Sequence, residues 1–177
     1  MEVALTDNLS STFSGAYSHN DDNTQWLGNF RDAANHVHYA FAHLNQRTLS
    51  ASLRLNVTVN PTLSVQAYAQ PFVSTGSNSN IRQLSGAPSA AGYDARFVAY
   101  RPPVGTATDF VDRQFNASSV VRWEYRPGST LFLVWTQGRQ QFDSFTDAAT
   151  ASAAPHDPGR IRPDNTVLLK FSYWFDR

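Results

Sequence analysis

From Val37 to Val59 the chain alternates with a period of two. Odd positions carry Val37, Tyr39, Phe41, Leu49, Ala51, Leu53, Leu55, Val57 and Val59, broken only by His43, Asn45 and Arg47. Even positions from Gln46 on are Gln46, Thr48, Ser50, Ser52, Arg54, Asn56 and Thr58. Successive side chains of a strand point to opposite faces, so this run is one strand with an apolar and a polar face. Soluble strands average about five or six residues, and this one is several times longer. A bulge is expected near Asn45 to Thr48, where the apolar alternation lapses.

The same pattern recurs along the chain. Val121, Trp123 and Tyr125 alternate with Arg122, Glu124 and Arg126 before Pro127-Gly128, a tight-turn pair that leads into Leu131 to Gln140. Leu9, Phe13 and Tyr17 alternate with Ser10, Thr12, Ser14, Ala16 and Ser18; Leu63, Val65, Ala67, Ala69 and Val73 alternate with Ser64, Gln66, Tyr68 and Gln70. Val167, Leu169, Phe171, Tyr173 and Phe175 share a face of the last strand, opposite Lys170 and Ser172. A stub, Val3-Ala4-Leu5, precedes the first turn. Tight turns at Asp7-Asn8, Asn60-Pro61 and Pro127-Gly128 take turns with long connections at about 21–35, 74–108 and 142–164, the second with a short strand within 95–100.

This layout predicts an all-β fold: an antiparallel, up-and-down transmembrane β-barrel, one domain over 1–177 with about six long strands. Transmembrane barrels have short turns at one end, long loops at the other, and tilted strands of about ten residues crossing an apolar band about 25 Å tall. Charged residues make up only 16% of the chain, against about 25% in typical soluble proteins, with 41% hydrophobic. The expected lumen lining is Arg54, Gln66, Gln70, Arg122, Glu124 and Lys170. Interfacial aromatics are expected as Trp123, Tyr125, Tyr173 and Phe175 at the tight-turn edge and Tyr39, Phe41 and Trp135 near the other.

Net charge is zero, which argues against a nucleic-acid partner. No cysteine is present, so disulfides and thiolate metal sites are excluded. No apolar run is long enough for a transmembrane helix, and Met1 to Ser11 has no signal-peptide pattern.

Five ordered runs carry a family resemblance: Leu44–Ser50, Tyr68–Val73, Arg122–Leu131, Val134–Gln137 and Lys170–Phe175. They resemble the C-terminal barrel domain of unknown function in outer-membrane proteins that also carry a family-nine carbohydrate-binding-like domain. The resemblance spans about Leu9 to Phe175. It implies an outer-membrane barrel of a Gram-negative bacterium, with outer-membrane lipid and, through the C-terminal aromatic strand ending at Phe175, the barrel assembly machinery as partners. It implies no activity. Six strands are too few to close around a filled interior. The chain is therefore expected to be a C-terminal piece of a larger barrel, its edges covered by the parent's remaining strands or by self-association.

No catalytic constellation is legible, and neither enzyme activity nor a cofactor is expected. His36 and His38 share a strand face with Asp32 nearby, but two histidines are a weak metal signal and a solvated pair is the plainer reading. His19 beside Asp21 and Asp22 reads as a solvated acidic loop. Glu124 between Arg122 and Arg126, with Arg54 and Lys170 across, reads as a charged cross-strand ladder rather than a general acid.

The leading functional expectation is thus a barrel segment with a pore, transport or surface-anchoring role, carbohydrate-related by resemblance. The alternative is a soluble β-barrel binding an apolar small ligand inside. A membrane enzyme with a loop-borne site ranks last.

Overall fold

A computed structural model describes residues 2–147, 149–150 and 158–175. Its elements are β1 (Glu2–Thr6), β2 (Leu9–Arg31), β3 (Val37–Asn60), β4 (Leu63–Leu84), β5 (Phe97–Ala99), β6 (Asp109–Arg126), β7 (Ser129–Phe145) and β8 (Asp164–Ser172). They form one antiparallel sheet in the order β1-β2-β3-β4-β6-β7-β8, with β5 paired to β4. The sheet does not close. Among the described residues, β8 pairs only with β7, and β1 covers the outer edge of β2 only as far as Thr12.

The strands run past their expected ends. β2, β3 and β4 hold 23, 24 and 22 residues, so the expected connection at 21–35 shrinks to a turn after Arg31, and the one at 74–108 begins after Leu84. β7 reaches Phe145, and part of the expected 142–164 connection lies outside the described residues. The extensions lack apolar alternation because backbone pairing holds them: once two strands are in register, each further pair satisfies its own N–H and C=O groups whatever the side chains are.

The expected bulge is displaced. β3 pairs without interruption through Asn45 to Thr48. Most irregularities fall on its neighbours, between Asp22 and Gln25 and between Trp26 and Gly28 on β2, and opposite Phe41 to His43 on β4; β3 itself carries one at Val59, between Thr58 and Asn60 at the tight turn. At Asn45 and Arg47 the lost alternation marks a change of surroundings and not of register, while His43 adjoins the β4 irregularity. Pro71 lies inside β4, and the ladder to β3 skips Ala51 and Ser52 there, as a residue without an N–H requires.

Among the described residues there is almost no interior: the buried apolar ones are Ala40, Ala42, Leu44, Val111 and Ile161, all away from the tight-turn end. By contrast Phe13, Tyr17, Leu49, Trp123, Leu133, Val167, Leu169 and Phe171 stand exposed on one face of the sheet.

Candidate functional site

The register assigns every side chain of the paired strands to one of two faces. One face carries Leu9, Phe13 and Tyr17 of β2; Leu49, Leu53, Leu55 and Val57 of β3; Leu63, Val65 and Val73 of β4; Phe115, Val121 and Trp123 of β6; Leu131, Leu133 and Trp135 of β7; and Val167, Leu169 and Phe171 of β8. Together they make an apolar band that starts at the tight turns. Above it the same face turns polar, at His19, Arg47, Thr75, Arg113, Gln137 and Asn165.

The upper boundary of the band steps across the sheet. Tyr17, Leu49 and Val73 lie on one hydrogen-bonded row. The next partner of Val73 is Arg113, so on β6 the boundary residue Phe115 sits two positions nearer the tight turn. Phe115 pairs with Arg139, and the β7 boundary, Trp135, is four positions nearer again; Val167 then pairs with Trp135. Every step goes the same way. A level band drawn across tilted strands leaves such a trace, because strand tilt and register stagger are linked.

The opposite face is polar, and all six residues expected in a lumen, Arg54, Gln66, Gln70, Arg122, Glu124 and Lys170, share it. Hydroxyl and amide groups bridge the strands here: Ser14 Oγ to Ser52 Oγ at 2.7 Å, Asn56 Nδ2 to Ser10 Oγ at 3.2 Å, and Gln46 Nε2 and Thr48 Oγ1 each to Ser74 Oγ at 2.9 Å. The expected charged ladder does not form. Arg122 pairs with Glu124 at 3.2 Å, but Arg54 sits over the Tyr68 ring and Lys170 over Phe132. Register places Arg54 opposite Tyr68 and Lys170 opposite Phe132, so each cation meets an aromatic ring first. Glu124 also accepts from the Gly128 N–H at 3.2 Å, which ties it to the turn. The register shifts between Glu124 and Arg126, and Arg126 donates to Tyr173 Oη at 2.9 Å instead of extending the ladder.

Four of the expected interfacial aromatics come together. Trp123, Tyr125, Phe171, Tyr173 and Phe175 form a chain of ring contacts at the tight-turn end, with centroids 4.5–6.4 Å apart. Trp135 stands at the band's upper boundary and donates to Asn165 Oδ1 at 3.0 Å. Tyr39 and Phe41 do not join it: they lie past Arg47, Asn45 and His43, and Phe41 packs edge-on against Phe97. Alternation gives the face of Tyr39 and Phe41 but not their height along the strand. The boundary aromatic on that side is Tyr17.

At the loop end, Asp32 accepts from the His36 backbone N–H at 2.8 Å and lies 3.2 Å from His36 Nδ1 and 3.4 Å from His38 Nε2. The His36 N–H, helped by the two imidazoles, holds its carboxyl at about 2, below the usual 3.8. His38 is also bound to Gln83 Oε1 and stacked on Tyr100. No group of three or more potential metal ligands occurs among the described residues. His43, not His19, approaches Asp21, at 3.4 Å. On the band's face but above it, Arg113 is buried against Asp143, which also accepts from Gln141. Arg139 reaches the carbonyls of Gly159 and Ile161, pinning the segment before β8 to the same region.

In comparison with models of known families, residues 1–176 match the one described as a domain of unknown function, DUF5916. No curated protein and no solved structure matches the chain.

Proposed function

The chain belongs to the DUF5916 family of unknown function, and from that premise we propose that it is part of the wall of an outer-membrane β-barrel in a Gram-negative bacterium, with a pore, transport or surface-anchoring role that is carbohydrate-related. The observation that carries this reading is the stepped apolar band. A face with Leu169 66% and Tyr17 65% exposed has no protein core to enter. Each such side chain gains about 1.5–3 kcal/mol on leaving water, and lipid supplies that where the fold does not. The polar face, with Arg54, Arg122 and Lys170, would then line the water-filled side. Strand segments beyond the band would project past the membrane: 24 residues of β3 measure about 75 Å, against the ten or so that cross it.

Strand direction supports a parent barrel over closure by copies of this sheet. Seven strands in an antiparallel row leave β1 and β8 running the same way. Antiparallel closure takes an odd number of further strands, consistent with the even totals of single-chain bacterial barrels.

The test is lipid-exposure mapping. Single cysteines at Leu133 and Trp123, with Gln66 and Gln70 as controls, receive a polarity-sensitive label in the chain refolded with phospholipid vesicles. The reading expects dry signals at the first pair, quenched by lipid-borne quenchers, and wet signals at the second. Dry signals at Leu133 and Trp123 that no lipid quencher reaches would instead make that face an interior, as in a soluble barrel with an apolar ligand.

A further inference from the structure

We infer that the cavity at the loop end of the polar face is a binding site for a neutral, hydroxyl-rich ligand of the saccharide class. This extends the carbohydrate-related part of the proposed role and rests on that reading for a water-filled polar face. The cavity measures about 370 Å³, at the small end of ligand pockets, and Gln25, Gln46, Asn78, Trp26, Phe110 and Phe142 are among its walls.

Its chemistry is selective. Among the described residues no Lys, Arg or His lines it, and the one acidic group that does, Asp109, is already engaged by the Asn78 N–H at 2.8 Å and the hydroxyls of Thr108 and Ser77 at 3.3 and 3.4 Å. An anion would enter without a counter-charge and meet a carboxylate. The remaining polar groups are amides and hydroxyls. Asn78 donates through Nδ2 to the Thr108 carbonyl at 2.6 Å, which fixes its amide, yet its Oδ1 is buried with no hydrogen-bond partner among the described residues. A buried acceptor of that kind calls for a donor such as a ligand hydroxyl.

The aromatic groups complete the case. Phe110 and Phe142 stack with centroids 5.5 Å apart, and Phe142 is 58% exposed on the polar face. Neither the apolar band nor a buried core uses these rings. The C–H face of a pyranose would cover them while its hydroxyls reach the amides. The two register shifts on β2 flank Gln25 and Trp26, and bulges at a strand end serve to re-aim side chains.

The test titrates the vesicle-refolded chain with maltose, cellobiose and chitobiose by calorimetry and tryptophan fluorescence, with glucuronate and spermidine as charged comparators. Saturable binding of a neutral disaccharide is expected, weakened about tenfold by Asn78→Ala and by Phe142→Ala. Trp26→Phe should remove the fluorescence change while leaving calorimetric binding. If Phe142→Ala misfolds, Phe142→Leu keeps an apolar side chain without the ring and should weaken binding alike. No binding of any of the three disaccharides, preference for a charged comparator, or indifference to Asn78 and Phe142 would overturn the assignment. A folded chain with lipid-quenched Leu133 and no saccharide binding loses the site alone. Saccharide binding without lipid quenching at Leu133 loses the membrane reading and keeps the site.

Discussion

The ring of Phe110 occupies the space a side chain on Gly76 would need. A Cβ built on Gly76 would stand 2.9 Å from Phe110 Cδ1 and closer still to the outer ring atoms. The two residues are cross-strand partners on β4 and β6, and Phe142 backs the ring from its other side. Gly76→Ala should therefore destabilise the fold by about 1–3 kcal/mol, the usual cost of overpacking. Phe110→Ala in the same chain should recover part of that loss. A double-mutant cycle from urea unfolding in vesicles measures the coupling, and additive effects would refute the contact.

Leu133 and Gln70 test the two faces. Under the proposed reading, Leu133→Arg puts a charge against hydrocarbon and should cost about 2–4 kcal/mol in vesicle refolding. Gln70→Arg, on the polar face, should stay within about 0.5 kcal/mol. Equal costs would leave the band without lipid beside it.

Asp32 sets a pH dependence at the turn after β2. Its carboxyl is held at about 2 by the His36 N–H and the neighbouring imidazoles. A depressed folded value means that its contribution is fully present above about pH 4 and is lost as pH falls through about 2. Protection of the His36 amide against exchange, relative to its intrinsic rate at each pH, should fall over that window, and Asp32→Asn should abolish that pH dependence. A carbon-detected titration of Asp32 with a midpoint near 4 would contradict the geometry.

Arg113 and Asp143 form a pair whose cation is enclosed, with side-chain exposures of 5% and 32%. Asp143→Ala strips the carboxylate from a buried guanidinium. The expected loss is about 3 kcal/mol, at the low end for buried pairs because Asp143 is part-exposed. Asp143→Glu should restore part of it, read from unfolding midpoints.

The open edge of β8 gives a prediction about assembly. Under the proposed reading, pairing of β8 with its own copy would have to be antiparallel, which would invert one copy across the bilayer. A cysteine at Thr166 or Leu168 should accordingly give no disulfide dimer in vesicles under oxidation. Efficient dimers would mean that the sheet closes on itself outside a membrane.

Much of the strand framework could be read directly. Leu49, Leu53 and Val57 sort from Ser50, Arg54 and Asn56 because a pleated strand sends neighbours to opposite faces, and Pro127-Gly128 marks its hairpin because Gly128 adopts φ of 75°. The six polar-face residues followed from the same parity. Parity does not give the distance of Tyr39 and Phe41 from the apolar band, which only the register along β3 shows. The polar extensions of β2 and β4 give no strand signal for a related reason: residues such as Asp22, Asn23 and Ser79 leave no side-chain trace of a ladder made by backbone groups.

Sequence alone therefore determined the strands, their facing and their up-and-down order, all of which depend on neighbours one or two residues away. The tertiary structure decided which residue lies beside which across strands. That placed Phe110 on Gly76, put Lys170 over Phe132 in place of a charged ladder, stepped the apolar boundary from Val73 to Phe115 to Trp135, and assembled the cavity around Asn78 from five separate strands. Cross-strand register is set by the summed pairing of whole strands, with bulges absorbing the mismatches, and no local stretch of the chain encodes that sum.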